Sequence, residues 1–150
     1  MLVRLAIEAD RPALVELCVQ AVEESVRGIP PDREIINETI DQSFATAEPT
    51  FFVVERQREL VGFMMASIGS YAFASGIFTT QQVMFVRPDM RGTRAAALLI
   101  RHLIAWSQRL GAKEITGGNN NGLYTEQTAR LLEKHGFERV GVFMRRPGVQ

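Results

Sequence analysis

The chain has 150 residues, 46% of them apolar and 23% charged, with 17 basic side chains balancing 17 acidic ones. A chain of this length can hold one core without metals or disulfides, so residues 1–150 are expected to form a single domain. Zero net charge argues against broad attraction to nucleic acid or an anionic membrane, and the lone cysteine excludes an internal disulfide.

Cys18, His102 and His135 have no metal-ligand spacing, so no metal is expected. Arg4, Glu8 and Asp10 interrupt the apolar N-terminus before a secretory segment can form, which makes a reducing cytoplasm the expected setting. Val3 to Ile7 reads as a short strand. Asp10 is placed as an N-cap and Pro12 in the first turn of a helix, whose Leu14, Leu17, Cys18, Ala21 and Val22 recur at helical spacing to about Ser25. Gly28-Ile29-Pro30-Pro31 breaks the chain before a second helix, Arg33 to Phe44.

Phe51 to Val54 and Leu60 to Ala66 flank the polar segment Glu55 to Glu59 and predict an antiparallel hairpin. Residues 60–86 carry no charge and are long enough to cross a bilayer. Gly69, Ser70, Ser75, Gly76, Thr79, Thr80, Gln81 and Gln82 would put polar groups in hydrocarbon, so strands are expected there and no membrane span. Gln82 to Val86 forms the next strand, followed by a long helix with Ala96, Leu99, Leu103, Trp106 and Leu110 on its apolar face and Gly111 at its end. Lys113 to Thr116 predicts a strand, Gly117 to Gly122 a loop, and Thr125 to His135 a helix closed by Gly136. Arg139 to Met144 predicts a final strand and Pro147 to Gln150 a short tail. The order β-α-α-β-β-β-α-β-α-β is that of an α/β domain.

The segment Val86-Arg87-Pro88-Asp89-Met90-Arg91-Gly92-Thr93-Arg94-Ala95-Ala96 joins the fourth strand to the long helix. A helix starting directly after a strand presents unpaired N–H donors and a positive dipole end, which suit a pyrophosphate. Gly92, Ala95 and Ala96 would let an anion approach the main chain, and Arg87, Arg91 and Arg94 would add positive charge. The same residues also suit an ordinary connection with solvated arginines.

This segment, with Glu133-Lys134-His135-Gly136-Phe137 before the expected last strand, resembles the GCN5-related N-acetyltransferase (GNAT) superfamily. That family carries V-x-P, then the loop [R/Q]-x-x-G-x-[G/A], and later Y-x-x-x-G-F, and the likeness runs over nearly the whole chain. The resemblance implies a mixed, mostly antiparallel central sheet flanked by helices. It also implies acetyl-CoA as cosubstrate, its pyrophosphate on Arg91, Gly92, Thr93, Arg94, Ala95 and Ala96, and its pantetheine beside Met84, Phe85 and Val86. Arg94 stands where the family loop has its first glycine; its side chain either crowds the backbone approach or, as favoured here, contacts phosphate or points outward, leaving the main chain clear if its φ is negative. Leu132 stands where the family has its acid tyrosine, so Tyr124 or a water is the expected substitute.

Acetyl transfer to an amine needs a neutral amine, a route for its proton, and protonation of the departing thiolate. Glu24, of the pair Glu23-Glu24, is the candidate base, against the reading of two solvated glutamates; Gln81 and Gln82 could order a water. Thr125 reads as an N-cap or a cofactor contact, and Asn119-Asn120-Asn121 as a turn or as amide donors. His135 reads as a helix-end residue, His102 as a surface one and Cys18 as core. Tyr71, Phe73 and Phe78 either line an acceptor pocket or fill space between strands.

The resulting expectation is an N-acetyltransferase acting on a primary amine by direct attack in a ternary complex. The alternatives are a noncatalytic acyl-CoA-binding or regulatory domain and a protein-interaction module on the same scaffold. The resemblance also raises a homodimer as a possible assembly.

Overall fold

In the computed structural model, which describes residues 1–148, the chain opens with strand β1 (Leu2–Leu5). The strand stops short of the expected Ile7 because the Ile7 N–H turns away to the Asp10 carboxylate at 2.8 Å. Asp10 sits at the head of helix α1 (Arg11–Ser25), as expected, but its side chain does not cap the helix. The carboxylate instead accepts from Arg4 Nη1 and Nη2 at 2.7 and 2.9 Å. Helix α2 (Arg33–Thr46) is capped by Asp32, which accepts from Glu34 N at 3.0 Å and Ile35 N at 3.2 Å.

Strands β2 (Thr50–Arg56) and β3 (Glu59–Ser70) form the expected hairpin. Its two-residue turn places Gln57 and Arg58 in left-handed conformations, with φ of 52° and 64°, as a tight hairpin that follows strand twist requires. Strand β4 (Ile77–Val86) begins well before the expected Gln82. Its first half looks polar in sequence, yet Thr79 is fully buried and shares a 2.6 Å hydrogen bond with Ser107 of helix α3 (Ala95–Arg109). Strand β5 (Glu114–Thr116) completes a sheet of order β1-β2-β3-β4-β5, antiparallel except for the β4–β5 pair.

Alternation along β2 sends neighbouring residues to opposite layers. Phe51 and Val53 join Phe63 and Phe85 against Leu14, Leu17 and Ala21 of α1 and Ile40 of α2. Phe52 faces α3, where it meets the rings of His102 and Trp106 edge-on at 4.7 and 5.3 Å. His102, expected at the surface, is therefore half-buried, and burial lowers its pKa, with a smaller push from Arg109. The buried face of α3 is Ala95, Leu99, Ile100, Leu103 and Ser107. Ala96 and Trp106 are only half-buried and Leu110 is exposed, while Ser107, polar in sequence, lies on the buried face with its hydroxyl on Thr79.

Register shifts between Met65 and Ala66, which pair with Val83 and Gln81, so Gln82 bulges out of β4. The exposed Gln82 is thus an extra residue between a half-strand that follows Thr79 and one that leads to Phe85. At the Val86 end, Gly62 allows β3 to lie close to β4; a Cβ there would stand 2.7 Å from the Phe85 carbonyl oxygen.

The described residues fall into two compact units, Met1–Gly117 and a second beginning at Gly118. The second contains helix α4 (Thr125–Glu133), whose Leu132 is buried, and Gly136, whose φ of 90° follows the helix end. The expected final strand, Arg139 to Met144, is absent: residues 137–148 lie in no strand. A strand needs a partner for its N–H and C=O groups, and among the described residues this segment has no ladder partner. Of the expected tail, Val149 and Gln150 lie outside the described residues. Among the described residues no helix is long and apolar enough to cross a membrane, and residues 60–86 lie largely in β3 and β4.

Candidate functional site

The sheet opens beside β4. Strand β5 pairs with it in parallel over Phe78, Thr79 and Thr80 only, so β4 continues from Gln81 to Val86 with no β5 residue alongside. Met84 is half-buried, whereas Phe85 and Val86 are buried. Their order in β4 is fixed by antiparallel pairing of Met84 with Met64, Phe85 with Phe63 and Val86 with Gly62.

After Val86 the chain turns through a 3-10 segment, Pro88–Met90, whose Met90 side chain is buried. Thr93 Oγ1 donates to the Met90 carbonyl at 2.6 Å and accepts from Ala95 N at 3.3 Å, tying the turn to the head of α3. Gly92 has a φ of 85°, and open space surrounds the point where a Cβ would stand. That conformation is cheap for glycine and leaves the main chain uncovered.

Arg94 is the N-cap of α3 with φ −85° and ψ 9°, so the negative φ expected to keep the main-chain path clear is present. Its carbonyl accepts from Leu98 N at 3.0 Å, while its side chain caps nothing. The first turn of α3 holds no acidic residue, and Ala95 and Ala96 keep it narrow. These features present N–H donors and the positive helix end toward the loop, a donor set suited to a phosphate-bearing group.

The three loop arginines, expected to act together as positive charge, are used differently. Arg87 donates to Glu59 at 2.6 Å and to Asp89 at 3.1 and 2.9 Å. Those carboxylates raise the Arg87 pKa and offset its charge. Arg91 donates through Nη2 to Glu24 at 2.6 Å and through Nε to the Val86 carbonyl at 2.9 Å, and its guanidinium lies 5.4 Å from the Phe85 ring centroid. Arg94 makes no ion pair among the described residues.

The structure thus joins Glu24 to Arg91, a pairing hidden by a separation of 67 positions in the sequence. Glu24 lies in the last part of α1, where neither composition nor spacing signals a partner in a loop after β4. Gln81 is buried and Gln82 exposed at the bulge. Cys18 packs against the core, and burial pushes its thiol up to about 12. Tyr71 donates to Glu114 at 2.8 Å and its ring meets Phe78 at 5.2 Å, while Phe73 is fully exposed.

In the second unit, Tyr124 rather than Thr125 is the N-cap of α4; it is exposed, with φ 54°, and makes no side-chain cap. Thr125 is already the first helical residue, which replaces the capping role expected for it. Asn119, Asn120 and Asn121 form a turn: Asn119 Oδ1 accepts from Asn121 N at 2.9 Å and Asn121 Oδ1 from Leu123 N at 2.8 Å. His135 Nδ1 lies 2.9 Å from the Leu131 carbonyl at the helix end.

Solved structures share this architecture. An integron cassette protein from the mobile metagenome of Cole Harbour Salt Marsh superposes with a TM-score of 0.80 at 19% identity, covering 99% of this chain and 90% of its own. The aminoglycoside 6'-N-acetyltransferase of Acinetobacter haemolyticus gives 0.72 at 18% identity, covering 99% and 100%. A predicted acetyltransferase from Clostridium acetobutylicum, solved with acetyl-CoA, gives 0.75 at 15% identity, covering 97% and 95%. No curated protein matches the sequence. A model of the acetyltransferase (GNAT) domain matches residues 47–139, from the end of α2 past the end of α4. With that match over more than half its length, and with the sheet and loop just described, the chain belongs to the GNAT acetyltransferase family.

Proposed function

We propose that this chain is an N-acetyltransferase that takes acetyl-CoA as cosubstrate and transfers its acetyl group to a primary amine by direct attack. The observation that carries this reading is the head of α3, where the first-turn N–H donors beyond Ala95, the positive φ of Gly92 and Arg94, which makes no ion pair among the described residues, meet next to the open edge of β4. Arg91, Gly92, Thr93, Arg94, Ala95 and Ala96 would hold the pyrophosphate. Main-chain groups of Met84, Phe85 and Val86 would flank the pantetheine. The C. acetobutylicum protein solved with acetyl-CoA lends support from a chain of like fold.

Acetyl-CoA, when bound, supplies an acyl carbon activated as a thioester. The chain's own residues then orient the partners and move protons. Glu24 keeps Oε2 on Arg91 and offers Oε1 as the acceptor for the amine proton. Tyr124, exposed at the head of α4, is the proposed donor to the departing thiolate.

Calorimetric titration of the folded protein with acetyl-CoA and CoA tests the binding step. Micromolar affinity, about −8 kcal/mol, is expected for both, and no heat at either ligand overturns the reading. Initial rates with a panel of primary amines test transfer: intersecting double-reciprocal lines accord with direct attack, and parallel lines with a covalent acetyl-enzyme contradict it.

One observation favours a second reading, a noncatalytic acyl-CoA-binding domain. Leu132 is buried and carries no hydroxyl where the family motif has its tyrosine. Tight CoA binding with no turnover on any amine would select that reading.

A further inference from the structure

Strands β4 and β5 part at one place, and hydroxyl groups bridge that place on both faces of the sheet. Thr80 and Thr116 are the last pair before β5 ends, and β4 runs on to Val86 without it. On one face the two side chains meet, with Thr80 Oγ1 and Thr116 Oγ1 2.8 Å apart. Thr116 donates its single hydroxyl hydrogen to the Thr79 carbonyl at 3.1 Å, so Thr80 is the donor in the shared bond. Thr79 points to the other face, where it is buried and bonded to Ser107 of α3 at 2.6 Å. The Thr80–Thr116 bridge closes the way between β4 and β5, and the Thr79–Ser107 bridge the way between β4 and α3. These hydroxyls satisfy one another, so both bridges stand without a ligand.

We propose that these bridges are the floor of the opening beside β4, and that Thr80 and Thr116 limit the thioester donor to a short acyl group. This rests on the acetyl-CoA reading above, with pyrophosphate at the head of α3 and pantetheine along Met84, Phe85 and Val86. From Val86 back to Thr80 the strand spans about 17 Å, the bulged Gln82 adding little. A pantetheine arm has the chain length of about four extended residues, or about 14 Å. Laid along β4 from its Val86 end, the arm stops about one residue's rise short of Thr80, which leaves room for an acetyl group. Longer chains run into the bridge, whose two oxygens are already at hydrogen-bonding distance and leave no passage between the strands.

Titration calorimetry with CoA, acetyl-CoA and butyryl-CoA reads this limit as a ratio of affinities, without turnover. An unobstructed apolar slot would favour butyryl-CoA, by about fourfold for each added methylene. The parent is instead expected to bind it about tenfold more weakly than acetyl-CoA. Thr116→Ala removes the bridge and should bring the two thioesters within about threefold of each other. Thr116→Val keeps the volume without the hydroxyl and should hold the parent's ratio. Thr80→Ala opens the same bridge from β4 and should act as Thr116→Ala does. CoA itself should bind every variant within about threefold of the parent, which also reports that each is folded. Equal affinities for the two thioesters in the parent overturn this inference and leave acetyl-CoA binding in place. So does a ratio unmoved by both alanine variants, or one lost as fully in Thr116→Val. No binding of CoA to the parent overturns the acetyl-CoA reading and the floor together.

Discussion

Glu24 Oε2 accepts a 2.6 Å hydrogen bond from Arg91 Nη2, so the last part of α1 and the loop before α3 are fastened by one ion pair. About a third of each side chain remains in solvent, with relative exposures of 32% for Arg91 and 29% for Glu24. Such a pair contributes at most about 1 kcal/mol to stability. Its larger effect is on where Arg91 stands, held at three points by Glu24, the Val86 carbonyl and the Phe85 ring.

Substitution at position 24 separates holding from proton transfer. Glu24→Gln keeps an oxygen that can accept from Arg91 but cannot take a proton at neutral pH. It is expected to lower kcat by about 100-fold, the usual scale for a general base, with acetyl-CoA affinity no weaker than the parent's. Glu24→Ala removes a negative charge beside the loop and frees the guanidinium, so CoA binding should tighten by about threefold at low salt. An unchanged kcat in Glu24→Gln would remove Glu24 from the proton path and leave it the holding role alone.

Gly92 takes a φ of 85° with open space around its missing side chain. Gly92→Ala therefore meets no clash, and its cost is conformational, about 1 kcal/mol in denaturant unfolding. If the loop holds pyrophosphate through its main chain, the same change weakens CoA by several-fold. Equal CoA affinity in the variant would separate Gly92 from the ligand.

Gly62 is limited by space, not by φ. An added Cβ would stand 2.7 Å from the Phe85 carbonyl oxygen and 3.2 Å from the Val86 Cα, both backbone atoms with little freedom to yield. Gly62→Ala is expected to cost about 3 kcal/mol, near the upper end of overpacking effects. Thermal unfolding of the two glycine variants side by side gives the check: Gly62→Ala must fall well below Gly92→Ala.

Two groups give stability a stepped dependence on pH. His102 has a folded pKa lowered by burial against Phe52, so the unfolded chain binds its proton first; stability declines as pH falls below about 6.5. The Asp10 pKa is lowered chiefly by its hydrogen bonds to Arg4. Its contribution is present above the unfolded carboxyl value of about 4 and is lost as pH falls through the folded value. Urea midpoints of His102→Phe should lack the first decline, and those of Asp10→Asn should lack the second while being lower at pH 7.

Elements defined by local chemistry were legible in the sequence. Pro12 and Leu14 to Val22 specify α1, the polar segment Glu55 to Glu59 specifies the hairpin, and Gly111, with φ 75°, ends α3 where expected. The course of the loop from Val86 to Ala96 was equally plain, because a proline, a glycine and small residues stand at fixed offsets before a long apolar helix. What depended on distant partners was hidden. Thr79 is polar in sequence and buried in the fold because Ser107 supplies its hydrogen bond. Asp10 gives up the cap because Arg4 claims it. Val140 to Met144 have strand chemistry without a strand, since β-propensity cannot supply a ladder partner.

The bulge at Gln82 makes β4 two strands in different phase. Ala66 and Met65 are adjacent and face opposite layers, so their partners Gln81 and Val83 also face opposite layers although they stand two apart. Thr79 and Gln81 serve the α3 side in one phase; Val83 and Phe85 serve the α1 and α2 side in the other. The strand is therefore spelled in two reading frames joined at one residue. Deleting Gln82 would leave Gln81 and Val83 adjacent and still facing opposite layers, turning β4 into one regular strand, whereas removing a residue from within either half would send side chains to the wrong layer.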